Sequence, residues 1–429
     1  MQERVRIGLL GCGNVGGALV RLVHDHADVI EARAAVPLEI ARVAVRDLTK
    51  DRALPLPSRC FTDDAAAVVG DPDVDIVVEV IGGVEPARAL IVEALMAGKP
   101  VVTANKELLA AHGRELFETA EGAGVDLLFE ASVGGGIPLM RPLRESLAGD
   151  RIRRVMGIVN GTTNYILTRM TEGGDTFADA LADAQQLGFA EPDPTADVEG
   201  YDAAAKAAII ASIAFGARVV ASDVYREGIT SVTADDIAAA RDLGYVVKLL
   251  AIAEESDGEV AVRVHPTMVP ERHPLAAVRE SFNAVFIEGD AVGELMFYGR
   301  GAGGAPTASA VLGDLVDAAK NLVEGRKGAT IGTLAPKPIR GIDDVASQFY
   351  LSTEVADRPG VLADIAARFG EHGVSIRSMQ QEGIGDEARL IFVTHKAREI
   401  DMRNTVLALR DVAAVNRVGS LLRAIGDEA

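Results

Sequence analysis

Val5-Arg6-Ile7-Gly8-Leu9-Leu10-Gly11-Cys12-Gly13-Asn14-Val15-Gly16-Gly17 decides the fold. Val5–Leu10 is a short apolar run suited to a buried strand, and Ala18–His26 has the spacing of an amphipathic helix. The G-x-G-x-x-G between them has meaning only where a strand turns into a helix. Gly11 permits the tight turn, Gly13 lets a pyrophosphate approach the backbone, and Gly16 lets the helix pack on the strand. The helix start, with Asn14 and Val15, then meets phosphates with free N–H groups and its positive dipole end. Leu38–Val45, Ile76–Ile81 and Val101-Val102 read as further strands separated by helices. That alternation predicts an α/β protein with a doubly wound, Rossmann-type parallel sheet.

The second strand ends in Val45-Arg46-Asp47, with Lys50 and Arg52 close behind. An acidic residue there would hold a ribose 2′-hydroxyl, and an arginine would favour a 2′-phosphate. Arg46 therefore points to NADP, and Asp47 keeps NAD open. Val101-Val102-Thr103-Ala104-Asn105-Lys106 places a lysine just past the carboxyl end of a strand, the edge where such sheets bind ligands.

Glu130-Ala131-Ser132-Val133-Gly134-Gly135-Gly136-Ile137-Pro138 follows the strand Val125–Phe129. Its consecutive glycines expose carbonyls beside a carboxylate, an oxygen set suited to a hard cation, although a plain turn would read the same way. Asn160-Gly161-Thr162-Thr163-Asn164-Tyr165 is a polar turn and helix start that could meet a polar substrate. A second Gly-rich loop, Tyr298–Thr307, opens the helix Ala308–Leu322, which is expected to return to the first domain while the loop covers the cofactor.

Gly188-Phe189-Ala190-Glu191-Pro192-Asp193-Pro194-Thr195-Ala196-Asp197 runs into Val198–Phe215, read as one helix of Ala, Ile and Val with little charge except Asp202 and Lys206. Four residues apart, these two share a face and form a lone carboxylate–ammonium pair in apolar surroundings. A structural ion pair is the ordinary reading. Desolvated charges of this kind also gather at active sites, and Glu191 and Asp197 lie just upstream.

The net charge of −20 argues against a nucleic-acid partner. The amino terminus enters a strand almost at once, leaving no room for a signal peptide, and no uncharged stretch is long enough to span a bilayer. The only cysteines, Cys12 and Cys60, are too few for a disulfide framework or a zinc site, and a cytoplasmic location is expected. His265 lies in a strand-like run and reads as a core histidine.

After Lys337–Asp344, read as a linker, the pattern is strand (Phe349–Val355), helix (Val361–His372), strands (Ser375–Gln381, Ala388–Thr394), helix (Ile400–Leu409) and strand (Val412–Leu422). This βαββαβ order is a ferredoxin-like unit without a catalytic cluster, suited to regulation or assembly. The domains are expected at 1–130 (nucleotide-binding, completed by about 305–330), 131–304 (α+β substrate and dimerisation), 331–348 (linker) and 349–429.

Together these motifs resemble homoserine dehydrogenase over essentially the whole chain, and the tail resembles an ACT domain through Asp357-Arg358-Pro359-Gly360-Val361-Leu362. The resemblance implies hydride transfer between L-homoserine and L-aspartate 4-semialdehyde, a step toward threonine, methionine and isoleucine. It implies Lys206 as acid/base at the substrate oxygen, Lys106 at the same oxygen or the cofactor, and Asp202, Glu191 and Asp197 around the substrate. It places Thr103, Gly188 and Gly303 against the cofactor. A sodium-like cation is implied on Glu130 and the carbonyls of Val133, Gly135 and Ile137. A homodimer or homotetramer is expected, with L-threonine as effector of the tail. An aldehyde dehydrogenase would need a nucleophilic cysteine, and neither Cys12 nor Cys60 is placed for it. A nucleotide-sensing regulator would need a basic DNA-binding element, which the chain lacks.

Overall fold

The computed structural model describes residues 3–329, 331–332, 334–384 and 387–426. Met1, Gln2, Thr330, Thr333, Gly385, Asp386 and Asp427–Ala429, which fall within the expected domains and linker, lie outside the described residues.

The first domain runs β1 (Val5–Leu10), α1 (Asn14–Asp25), α2 (Ala27–Ala34), β2 (Leu38–Ala44), β3 (Phe61–Thr62), α3 (Ala65–Gly70), β4 (Ile76–Glu79), α4 (Ala87–Met96), β5 (Val101–Thr103), α5 (Lys106–Ala123) and β6 (Leu127–Leu128). Its six parallel strands lie in the order β3-β2-β1-β4-β5-β6, the Rossmann arrangement, with the reversal beside β1. Because helices cover both faces, Ile76, Val77 and Val78 are all fully buried, which is why β4 reads as a continuous apolar run. α1 starts at Asn14, four residues before the helix expected at Ala18, because the glycine turn itself supplies its first turn.

The second domain contains β7 (Ile152–Ile158), α6 (Gly161–Gly173), α7 (Phe177–Gln186), α8 (Thr195–Val198), α9 (Tyr201–Phe215), β8 (Tyr225–Arg226), α10 (Ala234–Asp242), β9 (Tyr245–Ser256), β10 (Glu259–Pro270), β11 (Phe282–Gly289) and β12 (Gly293–Arg300). The helix expected over Val198–Phe215 is broken. Gly200, at φ +79°, separates the short α8 from α9, so Asp202 falls in the first turn of a new helix. α11 (Gly304–Val323) then returns to the first domain as expected: Ala308, Val311, Leu315 and Ala318 share a core with Ile7, Leu9, Leu19 and Val20. Truncating one such buried leucine typically costs about 2–5 kcal/mol.

The tail folds as β13 (Ala346–Ala356), α12 (Val361–Glu371), β14 (Ile376–Ile384), β15 (Glu387–Thr394), a short β16 (Ala397–Arg398), α13 (Glu399–Arg410) and β17 (Val415–Ala424). The order β17-β13-β15-β14 is that of a ferredoxin-like sheet. This sheet continues the sheet of the second domain, since β17 pairs with β10 through Thr267–Arg423 and Met268–Ala424. Alternate residues of β13 therefore serve two cores. Phe349 and Leu351 join Phe369 and Phe392 inside the tail, whereas Tyr350 joins Leu422 in the core of the main body. The linker is also pinned, with Ala335 bridged to Ala217 and Ile339 to Val260. Among the described residues no helix is long and apolar enough to cross a membrane.

Candidate active site

The glycine turn has the geometry its sequence requires. Gly11 holds φ +97°, and a Cβ there would meet the Val80 carbonyl at 2.8 Å. A Cβ on Gly16 would collide with the Gly11 carbonyl, whereas Gly13 faces open space, leaving room for a phosphate. Neither α1 nor α11 has a side-chain cap, and the two helix starts converge: a Cβ on Gly304 would meet the Asn14 carbonyl at 2.9 Å. Gly303 precedes α11 at φ +117°. The second Gly-rich loop thus lies directly on the first.

At the end of β2 Arg46 is exposed and, among the described residues, without an ion pair. Asp47 is turned back on the chain, its carboxylate accepting from the Thr49 amide at 2.8 Å and hydroxyl at 2.6 Å. Glu79 is a site residue that sequence reasoning passed over. Fully buried in the apolar run of β4, it accepts from the Thr103 hydroxyl at 2.6 Å and from the amides of Ile81 and Gly82 at 2.8 and 3.0 Å. A buried acid in such a run was the available signal. Thr103 in turn accepts from the Asn105 amide at 3.1 Å, and Asn105 caps α5, which fixes Lys106 as its first residue.

Asp202 gathers the centre. One oxygen is ion-paired to Lys106, and the other accepts from Lys206 at 2.7 Å and from the Asn160 amide at 2.9 Å. Asn160 also donates to Asp197 at 2.6 Å, and Lys206 to the Val159 carbonyl at 2.7 Å. Asn160 caps α6, its side-chain oxygen accepting from the Thr163 amide at 2.9 Å. The motif read as a polar helix start that could meet a substrate therefore supplies, through the Asn160 side-chain amide, a bridge between two carboxylates. The Lys206 side chain is 11% exposed and that of Lys106 37%, so Lys206 forms the floor and Lys106 the mouth.

Burial works against the Asp202 carboxylate, but the Lys206 and Lys106 ammoniums outweigh it and hold the group well below the usual carboxylate range. Burial, reinforced by the like charge on Lys106 and opposed by Asp202, holds Lys206 below its ordinary value. At Lys106 burial is outweighed by Asp202, which favours the charged form. The result is one acid and two bases with separated proton affinities, an arrangement suited to proton exchange with a bound oxygen.

Glu191 stands apart from this network. It is exposed in the loop before α8 and among the described residues joins neither Asp197 nor the lysines, while its backbone carbonyl accepts from Gln185 at 3.1 Å. Gly188, at φ +76°, begins the same loop, which is tied to α6 by the Thr162 hydroxyl donating to the Phe189 carbonyl at 2.6 Å.

The turn expected to hold a cation packs against the second Gly-rich loop, where the Gly136 amide donates to the Arg300 carbonyl at 3.1 Å. Gly134 and Gly135 have φ +75° and +56°, and a Cβ on Gly135 would collide with the Gly301 carbonyl. The Glu130 carboxylate does not fit a cation, because it already accepts from the amides of Leu139, Met140 and Arg141. Among the described residues no cluster of three His, Cys, Asp or Glu side chains is arranged to hold a metal. His265 is 1% exposed in β10, and burial followed by the charges of Arg423 and Arg263 pushes it well below its usual value, as befits a core histidine.

A glycine turn at the switch point of a parallel sheet, with a Lys106–Asp202–Lys206 cluster joining that sheet's domain to the second, is the pattern of a nicotinamide-dependent oxidoreductase. Comparison with known families makes the class specific. Residues 11–130 match the model for the homoserine dehydrogenase NAD-binding domain, 138–316 that for homoserine dehydrogenase, and 349–414 that for the ACT domain. A homoserine dehydrogenase of Corynebacterium glutamicum is 53% identical over 424 residues, covering 98% of this chain and 95% of that protein. The crystal structure of a homoserine dehydrogenase from Thiobacillus denitrificans superposes with a TM-score of 0.93 at 42% identity, covering 98% of each chain. A hyperthermophilic archaeal homoserine dehydrogenase mutant in complex with NADPH superposes with a TM-score of 0.63 at 28% identity, covering 73% of this chain and 97% of that one. The chain belongs to the homoserine dehydrogenase family.

Proposed function

We propose that the protein interconverts L-homoserine and L-aspartate 4-semialdehyde, with NADP preferred over NAD, in the route to threonine, methionine and isoleucine. The observation that carries this reading is the Lys106–Asp202–Lys206 centre, drawn from two domains onto one carboxylate. The nicotinamide supplies the hydride. Lys206, buried and held below its ordinary proton affinity, gives a proton to the alkoxide formed from the aldehyde and takes it back in the reverse direction. Lys106 at the mouth polarises the same oxygen, and Asp202 holds both ammoniums in register. Asp197, bridged by Asn160, and Glu191, exposed in the neighbouring loop, supply carboxylates for the substrate ammonium.

The cofactor reading rests on Gly11, Gly13, Asn14, Val15 and Gly16 for the pyrophosphate, with Thr103, Lys106, Gly188 and Gly303 toward the nicotinamide. NADP preference is supported by the unpaired Arg46 beside an Asp47 already bonded to Thr49. The archaeal relative in complex with NADPH agrees with it. A sodium-like cation fits the carbonyls of Glu130, Val133, Gly135 and Ile137. L-Threonine is the proposed effector at the Asp357–Gly360 turn, where α12 begins at Val361 with no side-chain cap. A homo-oligomer in the cytoplasm completes the reading.

An aldehyde dehydrogenase is disfavoured because burial pushes the Cys12 thiol up, away from a reactive thiolate. Oxidation of NADPH on addition of aspartate semialdehyde tests the proposal. No oxidation, with homoserine also inert in reverse, would refute it.

A further inference from the structure

The edge of β10 is shared by two strands laid end to end. β8 pairs there through Arg263–Tyr225 and Val264–Arg226, and β17 of the tail through Thr267–Arg423. Their junction is a charge cluster, buried at Arg423 and Glu399 and partly exposed at Glu227. Arg423, with its side chain 3% exposed, makes a two-point contact with Glu227 at 2.8 and 2.8 Å and another with Glu399 at 2.9 and 2.6 Å. The Tyr225 hydroxyl donates to Glu227 as well, and the Arg423 guanidinium lies 5.4 Å from the Tyr225 ring centre. Such paired forks fix both distance and angle.

Glu227 lies in the segment, residues 226–230, that grips the joint between α8 and α9. The Ile229 amide donates to the Val198 carbonyl at 2.8 Å, and Gly228 lies so close that a Cβ there would collide with the same carbonyl. Arg226 donates to the Glu199 carbonyl at 2.6 Å and stacks 3.4 Å from the centre of the Tyr201 ring. The Thr230 hydroxyl donates to Glu199 at 3.1 Å. The gripped residues, Val198–Tyr201, are those between Asp197 and Asp202.

We propose that Arg423 is a positioning residue for the active-site carboxylates, acting through Glu227 and residues 226–230 on the joint between Asp197 and Asp202. This rests on the reading of those carboxylates given above. It makes Arg423 the point at which displacement of the tail sheet reaches the catalytic centre.

The test uses the full chain and the variants Glu227→Gln, Arg423→Lys and their combination. The lysine keeps the charge and loses the fork. Each single variant should lower kcat/KM for homoserine about ten-fold, mainly through KM, with the cofactor KM within about two-fold of the parent. The double variant should be no worse than the worse single one, because the two residues act as one unit. Amides of residues 196–202 should exchange with deuterium faster than in the parent. Unchanged exchange there, losses that multiply in the double variant, or a parallel change in cofactor KM would overturn the proposal. If Arg423→Lys fails to fold, Tyr225→Phe replaces it, removing the hydroxyl that donates to Glu227 and accepts from Arg423 at 3.4 Å while the guanidinium forks stay. It should show the same direction of change, and unaltered exchange and KM would count against the proposal. A parent protein inert toward homoserine would refute the substrate reading alone, since the exchange measurement needs no substrate.

Discussion

Lys106, the first residue of α5 on the nucleotide-binding sheet, is ion-paired to Asp202 in the first turn of α9 on the other domain. One carboxylate therefore joins the two domains and orders both lysines. Replacing it with the isosteric amide in Asp202→Asn leaves two ammoniums facing each other without a counter-charge. Turnover should fall roughly 10²-fold, with a rise in homoserine KM. Loss of Asp202 should also push Lys206 further down, moving the pH–rate profile toward lower pH. An unshifted profile would mean that Lys206 is not the group being titrated.

Arg46 is exposed past the end of β2, the position proposed above to read a 2′-phosphate, and Asp47 is committed to Thr49. Arg46→Ala should therefore weaken NADPH on the order of ten-fold or more, the range of one charge-assisted contact, and leave NADH nearly unchanged. Equal losses for the two cofactors would show that Arg46 does not read that phosphate.

Lys248, 2% exposed in β9, donates to the Asn164 side chain at 3.0 Å, and burial lowers its pKa to about 8. The folded protein thus releases this proton earlier than the unfolded chain, whose lysine titrates near 10.4. Stability from this group is lost as pH falls through about 8 and grows as pH rises from there toward the unfolded value. Between those limits the parent should gain stability relative to Lys248→Met, by at most about 3 kcal/mol. Parallel stability curves from denaturant titrations would contradict the assignment.

Threonine should inhibit the intact protein, with a coupling of about 1–3 kcal/mol. A clean excision of the tail after Arg340 would be expected to leave an active enzyme that ignores threonine. The β10–β17 pairing and the shared core at Tyr350 and Leu422 change that expectation. Truncation should also lower the melting temperature, because it exposes part of the edge of β10 and removes Arg423. A rate and sedimentation unaffected by millimolar-range threonine would reduce the tail to an assembly module.

The nucleotide-binding sheet was legible because its signals are local: a glycine turn between a strand and a helix, then uninterrupted apolar strands. The Asp202–Lys206 pair was legible for the same reason, as two charges one turn apart on an Ala-rich helix. The break at Gly200 was passed over although Glu199-Gly200 interrupts the apolar run, and a glycine able to take positive φ was the available signal. Asn160 as a bridge, the buried Glu79 bonded to Thr103 and the fusion of the two sheets depend on residues far apart in the chain. Neither spacing nor composition records such contacts.

The central claim is that Lys206 handles the proton of the substrate oxygen. It is tested most directly by steady-state turnover of Lys206→Ala, with NADPH binding measured on the same preparation. Turnover should fall by on the order of 10²–10⁴-fold while the NADPH dissociation constant stays within a few-fold of the parent's. A variant that still turns over within a few-fold of the parent would contradict the account.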